Sequence, residues 1–302
     1  MKYPITHPVT QLYRAASTLR VRPRSAGNYV QECNHVYAEA HGLGLVMDVF
    51  APTEKRNGLG IVDVISGGWY SDRVQLNEHI GLGLLDVLCG QGYTVFALSP
   101  GSITKFTGLE MVRHVQEAIR YLKVHAESLG IDRDRVGLTG ASAGGHLAAL
   151  AAITPLAAKT HSPNPYKQWD SRVRAVGLFF PPTDLLDYGG RLFDFVEAEG
   201  GRLDRLLFEE GAEGHSESEI RKRLTALSPA RQVAAPPPPF LLIHGSADTV
   251  VPLGQSEKLA AAIHAVGGSA ALIVKAGGGH PWPDIRHEVE HLATWFDEML
   301  MR

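Results

Sequence analysis

The sequence predicts an α/β fold in which a mostly parallel central sheet is covered by helices on both faces. Short apolar segments alternate with segments of helical periodicity over most of the 302 residues, and such alternation is typical of strands joined by helical crossovers. Most of the short segments are apolar at consecutive positions, as expected for strands that are buried on both faces. The length accommodates one large domain of this class.

Individual elements follow from local patterns. The clearest helix spans residues 109–129, where apolar side chains recur at every third or fourth position. Residues 260–266 and 289–299 show the same periodicity. The segments with strand composition are Leu45–Phe50, Gly60–Ser66, Tyr93–Ser99, Arg135–Gly140, Val173–Phe180, Phe240–Gly245 and Ala270–Lys275.

Residues 184–228 interrupt this alternation. The segment is polar, charged and broken by glycines, and it lies between two predicted core strands. Because it is too long for a simple crossover, we interpret it as a small helical cap insertion over the site; the alternative is a pair of surface helices. Its composition predicts few buried apolar contacts and greater mobility than the sheet. Since no repeat or linker is found elsewhere, residues 1–302 are predicted to form a single domain.

One predicted strand ends in the pentapeptide GASAG, residues 140–144, and a run of small residues that favours a helix follows. A sharp strand–turn–helix brings the backbone so close together that only glycine and alanine fit around the central residue. Such a turn lifts the Ser142 hydroxyl above the sheet, beside the free N–H groups of the new helix, as in a nucleophile elbow. The alternative is a glycine-rich turn with an incidental serine.

A serine hydroxyl becomes nucleophilic when a base accepts its proton and an acid orients that base. Asp248 lies in the loop after the strand Phe240–Gly245, and His280 follows three glycines after the last strand. Because the carboxyl ends of parallel strands share one edge of the sheet, Ser142, Asp248 and His280 are expected to meet there. Asp184, which follows an earlier strand, is the competing acid. Taken singly, each residue is also compatible with a turn or surface role.

Donors for an oxyanion are expected from an early glycine pair. Gly67 and Gly68 follow the strand Gly60–Ser66, and without side chains they leave their N–H groups accessible to an acyl oxygen. The N–H of Ala143, next to the predicted nucleophile, would be a third donor. The alternative is a structural glycine turn between a strand and a helix.

These motifs resemble those of the α/β-hydrolase esterases of the hormone-sensitive-lipase and bacterial feruloyl/acetyl-xylan-esterase type. The matching segments are 66–69 (SGGW), 129–150 (LGIDRDRVGLTGASAGGHLAAL), 227–230 (LSPA), 239–252 (PFLLIHGSADTVVP) and 277–282 (GGGHPW). The resemblance implies the α/β-hydrolase fold from roughly residue 46 onward. It also implies a Ser142–His280–Asp248 triad and an oxyanion hole made by Gly67, Gly68 and Ala143.

The sequence departs from the pattern of this family in two places. Ile65 and Ser66 stand where the family usually has histidine and glycine, so other hydrogen bonds must anchor the loop. His114 stands where relatives often carry an aspartate, which predicts that a local ion pair is missing. Neither departure removes a catalytic group.

The resemblance implies a serine carboxylic-ester hydrolase that needs neither cofactor nor metal. Arylformamidases, which resemble this family, use the same triad on an amide, and a hydrolase fold that only binds a ligand is a further alternative that a complete triad disfavours. Trp69, Tyr70 and Trp282 stand beside the predicted catalytic groups, so we expect them to line a small pocket for short-chain or aromatic esters. The competing interpretation is that these rings, together with Phe106, pack under the loops.

Composition argues against several other classes of protein. Lys and Arg total 29 against 32 Asp and Glu, and this net charge of −3, without basic runs, does not support nucleic-acid or anionic-membrane binding. No segment is apolar enough to span a membrane, and no secretory signal is visible, so a cytoplasmic protein is expected. Cys33 and Cys89 form no disulfide framework, and residues 81–86 lack the third glycine of a dinucleotide loop. The sequence does not indicate an oligomeric state.

Overall fold

A computed structural model of the chain describes residues 27–193 and 203–302. Within them, eight strands form one sheet in the order β1-β2-β4-β3-β5-β6-β7-β8. β1 and β2 pair antiparallel, as do β2 and β4, and all pairs from β4 through β3 to β8 are parallel. The strands are β1 (Tyr29–Ala40), β2 (Leu43–Pro52), β3 (Gly60–Val64), β4 (Thr94–Leu98), β5 (Val136–Ala141), β6 (Ala175–Phe179), β7 (Phe240–Gly245) and β8 (Ala270–Lys275).

Helices connect the parallel strands, and two 3-10 helices, Pro165–Gln168 and Leu203–Leu206, lie in the longer connections. None of the helices within the described residues combines the length and the apolarity that crossing a bilayer requires. The α-helices are α1 (Arg73–Gly81), α2 (Leu84–Gly90), α3 (Gly108–Leu129), α4 (Ala143–Ile153), α5 (Glu217–Ala226), α6 (Pro229–Gln232), α7 (Gly254–Ala265) and α8 (Arg286–Leu300).

Two apolar cores lie on the two faces of the sheet. Along β3, Val62 and Val64 belong to one core and Ile61 belongs to the other, because successive side chains of a strand point to opposite faces. The first core packs against α3, α4 and α7, and the second against α1, α2 and α8. The predicted arrangement, a mostly parallel sheet with helices on both faces, is therefore confirmed.

Strand β1 was not predicted from the sequence. It forms the edge of the sheet, and its side chains alternate between buried and exposed, with Val30 and Val36 facing solvent. Polar residues, among them Gln31, Glu32 and Asn34, interrupt the strand, so it lacks the continuous apolar run that marks the central strands. The sequence pattern in this region therefore carried a weaker signal.

The segment 184–228 is better packed than its composition predicted; residues 194–202 of it lie outside the described residues. Leu206 and Leu227 press against Gly108 at the start of α3, where a Cβ atom would lie within 2.8 Å of either side chain. The expectation of few buried apolar contacts is therefore wrong for the described part of the segment. Its leucines buried in the first core are Leu185, Leu203, Leu206, Leu207, Leu224 and Leu227.

An ion pair between β3 and α1 lies inside the protein. His79 Nδ1 is 2.8 Å from Asp63 Oδ2, and both side chains are buried. Burial alone would lower the pKa of His79, but the charge of Asp63 and its hydrogen bond raise that pKa above the ordinary value of 6.5. The protonated imidazole is therefore favoured in the folded state.

This pair should make stability depend on pH. Because the folded-state pKa of His79 is raised, its stabilisation is complete below about pH 6.5 and is lost as the pH rises through the folded-state pKa. We expect the free energy of unfolding, measured by urea titration, to fall above pH 6.5 by up to about 1.4 kcal/mol per pH unit. His79→Gln should remove this component of the slope; identical slopes in the two proteins would contradict the assignment.

Candidate active site

The sharp turn between β5 and α4 holds Ser142 in strained backbone geometry. Ser142 has φ 51° and ψ −122°, a conformation that L-residues rarely adopt and that is often found at functional sites. The turn is tight enough that a Cβ atom on Gly144 would lie 2.1 Å from the Val64 carbonyl oxygen. Only glycine fits at that position, which accounts for the second glycine of the motif, two residues after Ser142.

Three of the predicted site residues meet at the carboxyl edge of the sheet. His280 Nε2 lies 2.9 Å from Ser142 Oγ, and His280 Nδ1 lies 2.7 Å from Asp248 Oδ2. Asp248 follows β7 and His280 follows β8, so adjacent parallel strands bring the two loops together. The structure thus joins a hydroxyl, an imidazole and a carboxylate in one hydrogen-bonded chain.

The surroundings of Asp248 keep its carboxylate ionised. Burial would raise its pKa, but hydrogen bonds from His244, from His280 and from the Val251 N–H hold the pKa well below its usual range. An ionised carboxylate only accepts hydrogen bonds, so His280 Nδ1 carries a proton. In the neutral imidazole, Nε2 is then the unprotonated nitrogen that faces the Ser142 hydroxyl.

Close backbone contacts and one aromatic ring position His280. The Ala247 N–H donates to the Gly278 carbonyl at 2.9 Å, and a Cβ atom on Gly245 would lie 2.2 Å from that same oxygen. The Phe180 ring lies against the imidazole, with a centroid distance of 4.3 Å. The glycines around the loop therefore allow the close approach that places His280 beside Asp248.

The predicted oxyanion donors need one correction. The Gly67 N–H donates to the Tyr70 carbonyl at 2.9 Å in a tight bridge, so it is not available to an acyl oxygen. Among the residues that the structure describes, the N–H groups of Gly68 and Trp69 have no recorded acceptor. Ala143 is the first residue of α4, so its N–H has no partner inside the helix. The available donors are therefore Gly68, Trp69 and Ala143.

Backbone hydrogen bonds anchor this loop where the family usually has a histidine. The Ser66 carbonyl accepts from the Gly144 N–H at 2.9 Å, which ties the loop to the turn at Ser142. The Trp69 carbonyl accepts from the Ile103 N–H at 2.9 Å, so the loop after β4 holds its other end. The departure at Ile65 and Ser66 is thereby compensated.

The aromatic side chains predicted to contact a substrate lie in the protein interior. Trp69, Tyr70 and Trp282 are at most 7% exposed. The Trp69 indole N–H donates to a histidine at 3.0 Å, and that of Trp282 donates to Glu288 at 2.8 Å behind Phe180. The expectation that these rings line an open pocket is therefore wrong: packing and buried hydrogen bonds direct them inward.

Two buried histidines near the site were not predicted. His146, four residues after Ser142, accepts the Trp69 indole N–H on Nδ1 and donates from Nε2 to the Leu227 carbonyl at 2.6 Å. Burial lowers the pKa of His146 to about 4, so the ring is neutral. The second is His244, which lies beside Asp248. In the sequence, the only indication of their positions near the site was spacing: His146 follows Ser142 by four residues, and His244 precedes Asp248 by four.

The competing acid and the histidine that departs from the family pattern lie elsewhere. Asp184 accepts from Arg231 at 2.7 Å, so its carboxylate does not serve His280. His114 donates from Nδ1 to the Pro100 carbonyl at 2.6 Å and packs on Phe106, in place of the ion pair expected in relatives. In the described part of the chain, no group of three or more His, Cys, Asp or Glu side chains is arranged to hold a metal ion.

The arrangement has relatives in sequence. A family profile described as BD-FAE matches residues 47–263. A probable carboxylic ester hydrolase of Mycobacterium tuberculosis, LipM, is 26% identical over 65% of this chain and 42% of its own length. The chain spans about half the length of the curated relatives it matches.

Solved structures share the fold. A truncated carbohydrate esterase from gut microbiota has a TM-score of 0.74 and 24% identity, covering 93% of this chain and all of the other. A thermophilic esterase of Thermogutta terrifontis with butyrate bound has a TM-score of 0.66 and 23% identity, covering 88% of this chain and 93% of the other. Both similarities concern the α/β-hydrolase architecture.

Substitution of the carboxylate should separate the two candidate acids. In Asp248→Asn the amide favours the wrong tautomer of His280, so the rate at which a fluorophosphonate labels Ser142 should fall roughly 1,000-fold. Asp184→Asn, the matched control, should label at close to the wild-type rate once circular dichroism shows it to be folded. A larger effect of the control variant would contradict the assignment of Asp248.

Proposed function

Because the chain belongs to the BD-FAE family, we propose that it is a serine carboxylic-ester hydrolase that works through an acyl-enzyme. The observation that carries this proposal is the hydrogen-bonded chain Ser142–His280–Asp248, with 2.9 Å and 2.7 Å between its partners. A protein of this fold that only binds a ligand would not need a serine, a histidine and an aspartate hydrogen-bonded in series. The name of LipM, a probable carboxylic ester hydrolase, also supports the proposal.

In the first half of the reaction, His280 Nε2 accepts the hydroxyl proton while Ser142 Oγ attacks the ester carbonyl carbon. The imidazolium that forms is stabilised by the Asp248 carboxylate on Nδ1. Collapse of the tetrahedral intermediate breaks the carbon–oxygen bond to the alcohol, which takes its proton from Nε2. The acyl group is then bound to Ser142 as an ester.

Backbone donors stabilise the negative charge of the tetrahedral intermediate. The N–H groups of Gly68, Trp69 and Ala143 are the available set, and donors that are already fixed need no reorganisation when the charge develops.

In the second half of the reaction, His280 takes a proton from water, and the hydroxide attacks the acyl carbon. Ser142 leaves as the alcohol and recovers its proton from His280.

For the acyl group we propose short chains. The sequence prediction of short-chain or aromatic esters rested on Trp69, Tyr70 and Trp282. These rings face inward, so the proposal of short chains rests on a different observation. The structural neighbour from Thermogutta terrifontis was solved with butyrate and with propionate, both short acids.

The segment 184–228 is proposed to act as a cap. Its end is hydrogen-bonded to α4, because the Leu227 carbonyl accepts from His146. Phe193 in the same segment packs edge-on against Trp69, at a centroid distance of 5.5 Å. These contacts place described parts of the segment against the proposed oxyanion loop.

Loss of the nucleophile should abolish the reaction. Ser142→Ala should lower kcat for p-nitrophenyl acetate on the order of 10⁶-fold, because no other group can form the acyl-enzyme. The variant should also resist fluorophosphonate labelling, whereas Ser128→Ala on the surface of α3 should behave as wild type. Retention of more than a few per cent of the activity would mean that another residue attacks the ester.

The rate should depend on acyl length, with a preference for short chains. We expect kcat/KM for p-nitrophenyl esters to be highest between acetyl and butyryl and to fall sharply at octanoyl, since each methylene that fits contributes about 1 kcal/mol. A maximum at ten or twelve carbons would contradict this proposal. Formyl anilides measured beside the esters distinguish the arylformamidase alternative, which requires the higher kcat/KM for the amide.

A further inference from the structure

His244 is a second buried imidazole in contact with the carboxylate of the proposed triad. It lies in β7, four residues before Asp248, and its side chain is fully buried. His244 Nε2 is 2.9 Å from the Val251 carbonyl and 3.5 Å from Asp248 Oδ2, the oxygen that also accepts from His280. The proposed mechanism leaves this residue unused.

The neighbours of His244 define which of its nitrogens carries the proton. The two groups nearest Nε2 are a carbonyl oxygen and an ionised carboxylate, and both only accept hydrogen bonds. Nε2 therefore carries a hydrogen, which it donates to the Val251 carbonyl, while Asp248 Oδ2 lies 3.5 Å from the same nitrogen. Nδ1 is 2.7 Å from Ser256 Oγ, and in the neutral ring it accepts the hydrogen of that hydroxyl.

The same contacts enclose the other oxygen of Asp248. Oδ1 accepts from the Val250 N–H at 2.9 Å and from the Val251 N–H at 2.8 Å. His244 holds the Val251 peptide through its carbonyl, so it supports the turn that wraps the carboxylate. Val251 thus donates to Asp248 while it accepts from His244.

We propose that His244 is a positioning residue that orients Asp248 and reduces its basicity, and thereby sets the proton affinity of His280. This inference rests on the proposed function, because it assumes that Asp248 and His280 act on Ser142. The buried N–H dipole of His244, with Nε2 3.5 Å from Oδ2, stabilises the charge of the carboxylate, which then attracts a proton on His280 less strongly. The buried N–H of His244 would therefore keep the imidazole a base over a wider pH range.

Two other titratable groups near Asp248 and His280 are Tyr188 and Lys275. The Tyr188 hydroxyl donates to the Val250 carbonyl, and burial together with the charge of Asp248 raises the pKa of Tyr188, which stays neutral. On the His280 loop, Lys275 is paired with Asp284 and Glu288 at 2.8 and 3.1 Å. In the described part of the chain, the imidazole nitrogens that lie near Asp248 Oδ2 belong to His244 and His280, at 3.5 and 2.7 Å.

The test compares two substitutions of similar shape. His244→Gln keeps an N–H near the position of Nε2, whereas His244→Met removes it. We expect the methionine variant to lose about ten-fold in kcat with little change in KM, since one hydrogen bond is lost, and its acidic limb of kcat/KM should move up by about half a pH unit. The glutamine variant should stay within about three-fold of wild type with an unmoved limb.

The outcomes distinguish positioning from a purely structural role. Equal losses in both variants with an unmoved limb, or wild-type behaviour of the methionine variant, would overturn the proposal. His264→Gln, at an exposed histidine that contacts the Ala270 carbonyl, is the control and should leave the profile unchanged. If the wild-type protein hydrolyses no ester, the proposed function fails, and the pH dependence of fluorophosphonate labelling then tests the role of His244.

A measurement on the unmodified chain keeps the proposal testable if the methionine variant does not fold. ¹⁵N-NMR of the imidazoles should show His244 as the neutral Nε2–H tautomer across the pH range in which labelling of Ser142 increases. Detection of the Nδ1–H tautomer would overturn the proposal, because that form has no N–H to give to Asp248.

Discussion

The hydrogen bond between His280 and Asp248 fixes how the side chains of two neighbouring loops face each other. It forms because β7 and β8 are adjacent parallel strands whose ends reach the same edge of the sheet. The glycines at 245 and 278 let the two loops touch backbone to backbone. The orientation of the imidazole, and with it the contact to Ser142, depends on this bond at 2.7 Å together with the packing of the ring on Phe180.

Around this bond the protein concentrates strain and buried polar contacts. Trp69, Ser142 and Phe180 are non-glycine residues with positive φ, and they come from the loop after β3, the turn between β5 and α4, and the end of β6. Such conformations persist only where the surrounding structure enforces them. The enforcement comes from bonds between elements, including the Ser66–Gly144 backbone bond and the hydrogen bond from Trp69 to His146.

Buried histidines connect the proposed catalytic loops to the rest of the protein. His146 links the loop at Trp69 to the end of the segment 184–228, and His244 links the turn around Asp248 to α7 through Ser256. An imidazole suits this role because one nitrogen can donate while the other accepts, and the acceptors around it select one tautomer. Buried leucines anchor the described parts of the segment, and Phe193 packs against Trp69.

The sequence alone determined the alternation of strands and helices, the turn at Ser142 and the loops that carry Asp248 and His280, because these depend on local periodicity and on where glycines permit close approach. It did not reveal β1, in which polar residues interrupt the apolar pattern. The tertiary structure decided which carboxylate meets His280, why Gly67 is replaced by Trp69 among the available donors, and that the rings of Trp69 and Trp282 face inward. These outcomes depend on hydrogen-bond partners and side-chain directions set by elements distant in sequence. Only packing brings such partners within reach.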